Sequence, residues 1–163
     1  MECNLLDAYE KTGQLSEQVL AEITNEEDDS AAGMRLYHCY RQRPNIAFAR
    51  ALLTTLSTRY VHAYTHGGLA TTQGLRLAGY LIGLHGDVRD ALWRTKHLTF
   101  DTACEFDIQL VAFAGIDRTI AHLQTLPDPD AAAAVDNLRQ CQAAGDFDNL
   151  EEYFSPDHLP YWI

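Results

Sequence analysis

The strongest pattern in this sequence is helical and lies in residues 45–65. Apolar side chains recur there at spacings of three and four residues, which places them on one face of an α-helix. Pro44 precedes the segment, where a missing amide proton costs little, and Gly67-Gly68 follows it as a stop signal. The segment therefore predicts one long amphipathic helix. Its expected buried stripe comprises Ala49, Leu52, Leu53, Leu56, Tyr60, Ala63 and Tyr64.

Shorter segments repeat the helical pattern, and no segment alternates apolar and polar residues as a strand would for more than a few positions. Ser16 is a candidate N-cap for the second helix, and Asp101 for the helix that carries Phe106. The sequence therefore predicts an all-α fold. The expected shorter helices cover residues 5–11, 16–23, 31–42, 71–85 and 108–114.

Three glycines recur in the second half of the chain, at Gly86, Gly115 and Gly145, about thirty residues apart. Each lies between two helical patterns, as a glycine that ends a helix would. Two helices in thirty residues is the unit of an α-solenoid, but helical hairpins in an irregular bundle leave the same trace. Both arrangements stay open at this point.

The length of 163 residues fits a single domain over residues 1–163 that needs no metal or disulfide to fold. The acidic run at residues 26–30 is expected to be a solvated linker. The tail, residues 153–163, is rich in aromatic side chains and carries Pro156 and Pro160, which break a helix. Such a tail either covers an open end of the core or binds a partner.

Charge is distributed unevenly along the chain. Residues 1–30 carry a net charge of −8 and residues 127–163 a net charge of −7, whereas residues 31–126 carry +4. Lys11 and Lys96 are the two lysines, and the central arginines have acidic neighbours that can neutralise them. This distribution argues against nucleic-acid binding, which needs a surplus of basic side chains on one face. Acidic ends would instead attract a basic partner.

The four cysteines are widely spaced and form no Cys-x-x-Cys pair, so the sequence predicts buried, reduced thiols, with two disulfides as the alternative. No stretch is long and apolar enough to span a membrane, and the N-terminus has no positively charged region that would indicate a signal peptide. Together these features predict a cytoplasmic protein with no membrane partner.

His62 and His66 lie four residues apart, a spacing that suits two ligands of one metal ion. The residue after the first histidine is Ala63, where the metalloprotease motif has a catalytic glutamate, so the pair is a weak metal candidate. His97 and Asp101 form a second group that could act in acid and base catalysis. A metal-dependent or small-molecule enzyme is therefore the alternative hypothesis, although no cofactor is predicted.

Motifs for phosphate binding and for a nucleophilic serine are missing from the sequence. Three short runs, Phe100-Asp101-Thr102, Phe106-Asp107-Ile108-Gln109-Leu110 and Ala114-Gly115-Ile116, resemble a stretch of small helical bacterial proteins from toxin neighbourhoods. The chain is also similar to bacterial immunity proteins in being small, acidic and free of catalytic motifs. This resemblance implies a toxin-binding role and transfers no site residue.

The leading hypothesis is a non-enzymatic protein-binding module, most specifically an immunity protein that neutralises a cognate basic toxin. Charge complementarity would speed the encounter, and buried aromatic side chains would supply most of the affinity. A helical scaffold or adaptor is a further alternative that differs only in its partner. The residues expected to contact the partner are Glu26, Glu27, Asp28, Asp29, Tyr153, Tyr161 and Trp162.

Overall fold

Helices form all the regular secondary structure of residues 4–24, 29–89 and 92–163, which are the residues that the computed structural model describes. The predicted all-α fold is confirmed. In chain order the helices are α1 (Asn4–Thr12), α2 (Glu17–Thr24), α3 (Asp29–Gln42), α4 (Ile46–Thr65), α5 (Gln73–Gly83), α6 (Leu92–Lys96), α7 (Phe100–Glu105), α8 (Ile108–Val111), α9 (Ile116–Leu123), α10 (Pro129–Ala144) and α11 (Leu150–Tyr153).

The helices are distributed over two compact units. Unit 1 comprises residues 1–81 together with 160–163, and unit 2 comprises residues 82–159. The single domain expected over the whole chain stays a prediction. In the described part of the chain, none of the helices has the length and apolar composition needed to cross a membrane.

In unit 1, α4 is the long amphipathic helix that the sequence predicts. The Asn45 side chain accepts a hydrogen bond from the backbone N–H of Phe48 at 3.0 Å and caps the first turn. The stripe of Ala49, Leu52, Leu56 and Tyr60 is buried, as expected. Tyr64 was expected on the same stripe and is 46% exposed, because it lies in the last turn of the helix. Phe48, which the predicted stripe omitted, is fully buried.

The C-terminal residues 160–163 belong to unit 1, where they cover part of α5. The Trp162 ring meets the Tyr80 ring edge-on at 6.0 Å, and the Arg76 guanidinium lies 4.5 Å from the centre of the Trp162 ring. Gln73 Nε2 donates a hydrogen bond to the Trp162 carbonyl at 3.2 Å. Trp162 and Ile163 are buried, whereas Tyr161 is 92% exposed. The tail was expected either to cover the core or to bind a partner. Trp162 and Ile163 cover the core of unit 1.

In unit 2, a short helix is held by caps at both ends. Thr99 and Thr102 exchange hydrogen bonds between side chain and backbone at the start of α7, so Thr99 is the N-cap. Asp101 was expected to cap this helix and lies instead in its first turn, where a carboxylate favours the helix dipole. At the other end, Lys96 Nζ donates to the carbonyls of Ala103 and Phe106 at 2.6 and 2.8 Å. Burial lowers the pKa of Lys96.

The three periodic glycines all have positive φ and lie at helix boundaries. Gly86 follows α5 with φ of 63°, Gly115 precedes α9 with φ of 95°, and Gly145 ends α10 with φ of 87°. Their spacing does not mark a repeated pair of helices. The first interval contains α6, α7 and α8, of four to six residues each, whereas the second contains α9 and the 16-residue α10. A solenoid arrangement is therefore not confirmed.

Several acidic side chains near the two chain ends neutralise central arginines within a unit. These pairs are exposed and contribute little stability each, but they occupy carboxylates that a partner would otherwise meet. The pairs are Arg43 with Asp7 at 2.5 Å and with Glu10 at 3.2 Å, Arg59 with Glu17, and Arg94 with Asp128 at 2.9 Å.

The cysteines differ from the prediction of buried, reduced thiols. Cys39 on α3 is buried and disulfide-bonded. Cys104 is exposed and Cys141 is partly exposed, and both carry free thiols. Spacing along a sequence does not reveal which cysteines approach each other in the fold, because a disulfide joins side chains that are close in space.

Candidate protein interface

Unit 2 contains an open cleft of about 810 Å³ between the segments 113–118 and 147–154. Its walls expose polar and apolar surface in similar amounts, and three phenylalanine rings that are only half-buried line it. Three exposed carboxylates stand among its lining residues. We call it the acidic aromatic cleft and define it by the rings of Phe113, Phe147 and Phe154 and the carboxylates of Asp117, Asp148 and Glu151.

The position of Phe154 depends on a glycine at the end of α5. A Cβ atom on Gly83 would lie 2.6 Å from the Phe154 ring and 3.2 Å from Cβ of Phe113. Only a residue without a side chain leaves room for the ring at this distance. Gly83 therefore sets how deeply Phe154 sits in the cleft.

Tyr153 anchors the segment that carries Phe154. Its hydroxyl donates a hydrogen bond to Asp107 Oδ2 at 2.7 Å, and its ring meets the Phe154 ring edge-on at 5.1 Å. Gln109 fixes the preceding turn, since its Nε2 donates to the Asp146 carbonyl at 2.9 Å. The wall formed by residues 147–154 is thus held to the α7–α8 region of unit 2 by two side-chain hydrogen bonds.

Replacement of Tyr153 by phenylalanine removes the bond to Asp107 and leaves a partly buried carboxylate without this donor. We expect the free energy of unfolding to fall by about 1 kcal/mol, because hydrogen bonds to charged groups contribute this much or more. Urea denaturation measures the change. Tyr161→Phe is the matched control, since that residue is 92% exposed. Equal effects of both substitutions would contradict the anchoring role of Tyr153.

The three carboxylates of the cleft differ from the paired ones described above. Within residues 4–24, 29–89 and 92–163, none of Asp117, Asp148 and Glu151 takes part in an ion pair. Arg118 is the one basic side chain among the lining residues of the cleft in this part of the chain. The lining of the cleft therefore carries a net charge of −2 beside partly exposed aromatic rings.

The described residues among those that the sequence predicted for partner binding are divided between the two units. Glu26, Glu27 and Asp28 lie outside the described residues, and Asp29 is described only as the first residue of α3. Tyr153 lies behind the cleft in unit 2 and is half-buried. The remaining two belong to unit 1, where Tyr161 is exposed and Trp162 is buried.

The His62–His66 pair faces solvent in the last turn of α4 and beyond it. The centres of the two rings stack 4.2 Å apart. Nδ1 of His66 lies 2.8 Å from the His62 carbonyl, so one of the two ring nitrogens of His66 contacts the backbone of its own helix. Likewise, Nδ1 of His97 lies 2.6 Å from the Trp93 carbonyl, and Asp101 is exposed. Among the residues that the structure describes, no three histidine, cysteine or acidic side chains gather as metal ligands would.

Two further cavities among the described residues differ from the cleft in their lining. One of about 410 Å³ in unit 1 is lined by α4 and the loop that follows, with Leu69 93% exposed beside it. Another of about 290 Å³ in unit 2 is polar and contains Glu152 and His158, whose charged groups lie 3.7 Å apart and are exposed. Among the described residues, no phenylalanine ring lines either of them.

Comparisons with protein families, with curated proteins and with solved structures find no match to this chain. The cleft itself was missed by sequence reasoning. Phe147 and Phe154 are close in sequence, but Phe113 is more than thirty residues earlier, and no periodicity connects the three. The available signal was local: an acidic segment of residues 146–152 that also carries Phe147 and Leu150.

Proposed function

We propose that the chain is a protein-binding module, most specifically an immunity protein that binds and neutralises a basic bacterial toxin. The observation that supports this function is the acidic aromatic cleft, where exposed carboxylates that have no ion pair among the described residues lie beside apolar rings. Aromatic surface is enriched in the parts of an interface that carry the affinity, and complementary charge raises the rate of encounter. The proposed action is occlusion, without catalysis.

We propose that the contact residues lie in unit 2, at the acidic aromatic cleft. The Trp162 ring packs against Tyr80 and Arg76, so little of its surface is exposed for a partner to contact. The N-terminal acids Asp7, Glu10 and Glu17 already pair with arginines. Phe147 and the three cleft carboxylates therefore replace Trp162 as the residues to test first.

Growth of bacterial cells that express the product of the gene adjacent to this one tests the proposal. We expect that product to be toxic, and we expect co-expression of the wild-type chain to restore growth. The variant Asp148→Lys/Glu151→Lys should lose the protection. The charge-matched control is Asp136→Lys/Asp157→Lys, whose sites are exposed and do not line the cleft. An adjacent product that is harmless, or toxicity that the wild-type chain does not relieve, would overturn the immunity function.

The metal-dependent enzyme alternative gains no supporting observation from the histidines. Elemental analysis of the purified protein tests it: stoichiometric zinc that the His62→Ala/His66→Ala variant lacks would favour it over a binding module. A scaffold or adaptor would use the same cleft with a different partner, so growth protection separates it from an immunity protein.

The cellular compartment depends on the state of Cys39 in the native cell. The cytoplasm is the compartment that we propose from the sequence, and it requires a reduced thiol, because cytosolic reductants keep thiols free. The disulfide at Cys39 is the opposing observation. Alkylation of freshly lysed cells, followed by mass spectrometry of the Cys39 peptide, decides between them: an alkylated Cys39 supports the cytoplasm, and a protected Cys39 contradicts it.

A further inference from the structure

We infer that the acidic aromatic cleft binds a cationic amphipathic segment of the partner protein. One large apolar side chain of that segment inserts among Phe113, Phe147 and Phe154, while flanking lysine or arginine side chains pair with the rim. The inference rests on the proposed function in that it names the chemistry by which a basic partner is recognised. It applies equally to any partner that presents such a segment.

The three phenylalanine rings of the cleft expose apolar surface that a partner can cover. Phe113, Phe147 and Phe154 are half-buried, so each leaves apolar surface in contact with water. Removing such surface from water is favourable by about 25 cal/mol for each square ångström. A cleft of about 810 Å³ has room for more than one side chain of a partner. The rings are also preorganised, since Gly83 and Tyr153 fix the position of Phe154.

The carboxylates of the cleft differ from the acidic side chains that pair with arginines elsewhere in the chain. The chain neutralises Asp7, Glu17 and Asp128 internally, but it leaves Asp117, Asp148 and Glu151 exposed at the cleft without an ion pair among the described residues. A cationic partner gains from all three, whereas a nucleic acid or an anionic membrane surface is repelled. The combination of apolar rings and carboxylates fits a segment in which apolar and basic side chains alternate at helical spacing.

A fluorescein-labelled peptide of leucine and lysine at helical spacing is the probe, titrated with the full chain and followed by fluorescence anisotropy. We expect saturable binding that weakens at high salt, because salt screens exposed charge pairs. Two control peptides separate the contributions: one carries serine in place of each leucine, and one carries glutamate in place of each lysine. Both should bind at least about tenfold more weakly, since each lacks one half of the recognition.

Three variants place the binding on the molecule. Asp148→Lys/Glu151→Lys should raise the dissociation constant by about tenfold or more, and Phe147→Ala by several-fold, while Asp136→Lys/Asp157→Lys should leave it nearly unchanged. Equal losses in both charge-reversal variants would show that net charge alone attracts the peptide, and this result would overturn the inference. Equal binding of the serine peptide would overturn it too, because the rings would then have no role.

The two proposals fail in different ways. Peptide binding at the cleft together with an adjacent gene product that is harmless overturns the immunity function and leaves the cleft's ligand chemistry in place. Growth protection that survives Asp148→Lys/Glu151→Lys overturns the cleft as the site and leaves the immunity function in place. Binding of an anionic vesicle or of single-stranded DNA that competes with the peptide would contradict the cationic specificity.

Discussion

Replacing Trp162 with alanine should lower the free energy of unfolding by about 3 kcal/mol, which makes it one of the most damaging single substitutions in unit 1. The side chain is 6% exposed, and its ring contacts Tyr80 and the Arg76 guanidinium. Removal of the indole loses its apolar burial and uncovers α5.

Urea denaturation followed by circular dichroism measures this loss. Tyr161→Ala provides the control, since the neighbouring side chain is 92% exposed and a substitution at such a site changes stability by about 0.5 kcal/mol or less. Trp162→Phe should recover part of the loss by restoring the contact with Tyr80. If Trp162→Ala and Tyr161→Ala had the same small effect, the tail would not cover the core of unit 1 in solution.

Loss of the disulfide at Cys39 should cost about 2–4 kcal/mol, because the cross-link restricts the unfolded chain and Cys39 lies in the buried part of α3. We expect Cys39→Ser, and wild-type protein treated with a thiol reductant, to unfold at similarly lowered urea concentrations. Reductant should have no further effect on Cys39→Ser.

The double variant Cys104→Ser/Cys141→Ser is the matched control for this experiment. Both of these thiols are free, so the variant should keep the wild-type stability and the wild-type sensitivity to reductant. A wild-type protein whose urea midpoint is the same with and without reductant would contradict the stabilising role of the disulfide.

Prediction from sequence succeeds here where the cause is local. The α4 helix follows from its apolar spacing and from Asn45 and Gly67 at its two ends, which act within a few residues. The positive φ at Gly86, Gly115 and Gly145 is equally local, because only glycine adopts such angles without strain.

Features that depend on distant parts of the chain are the ones that sequence reasoning missed. Phe113 and Phe154 share a cleft because Gly83 admits the second ring, and no pattern along the chain connects these three positions. Similarly, the sequence places Asp7 and Glu17 in an acidic segment, and only the fold reveals that Arg43 and Arg59 pair with them. We therefore propose the cleft as the binding surface, in place of Trp162 and the N-terminal acids.

We propose the acidic aromatic cleft as the surface on which a basic partner binds. The most direct measurement is NMR titration of isotopically labelled protein with the leucine–lysine peptide. The account predicts amide shift changes concentrated in residues 113–118 and 147–154, which form the two walls. Changes concentrated outside these two segments, or spread evenly over all exposed acidic residues, would contradict it.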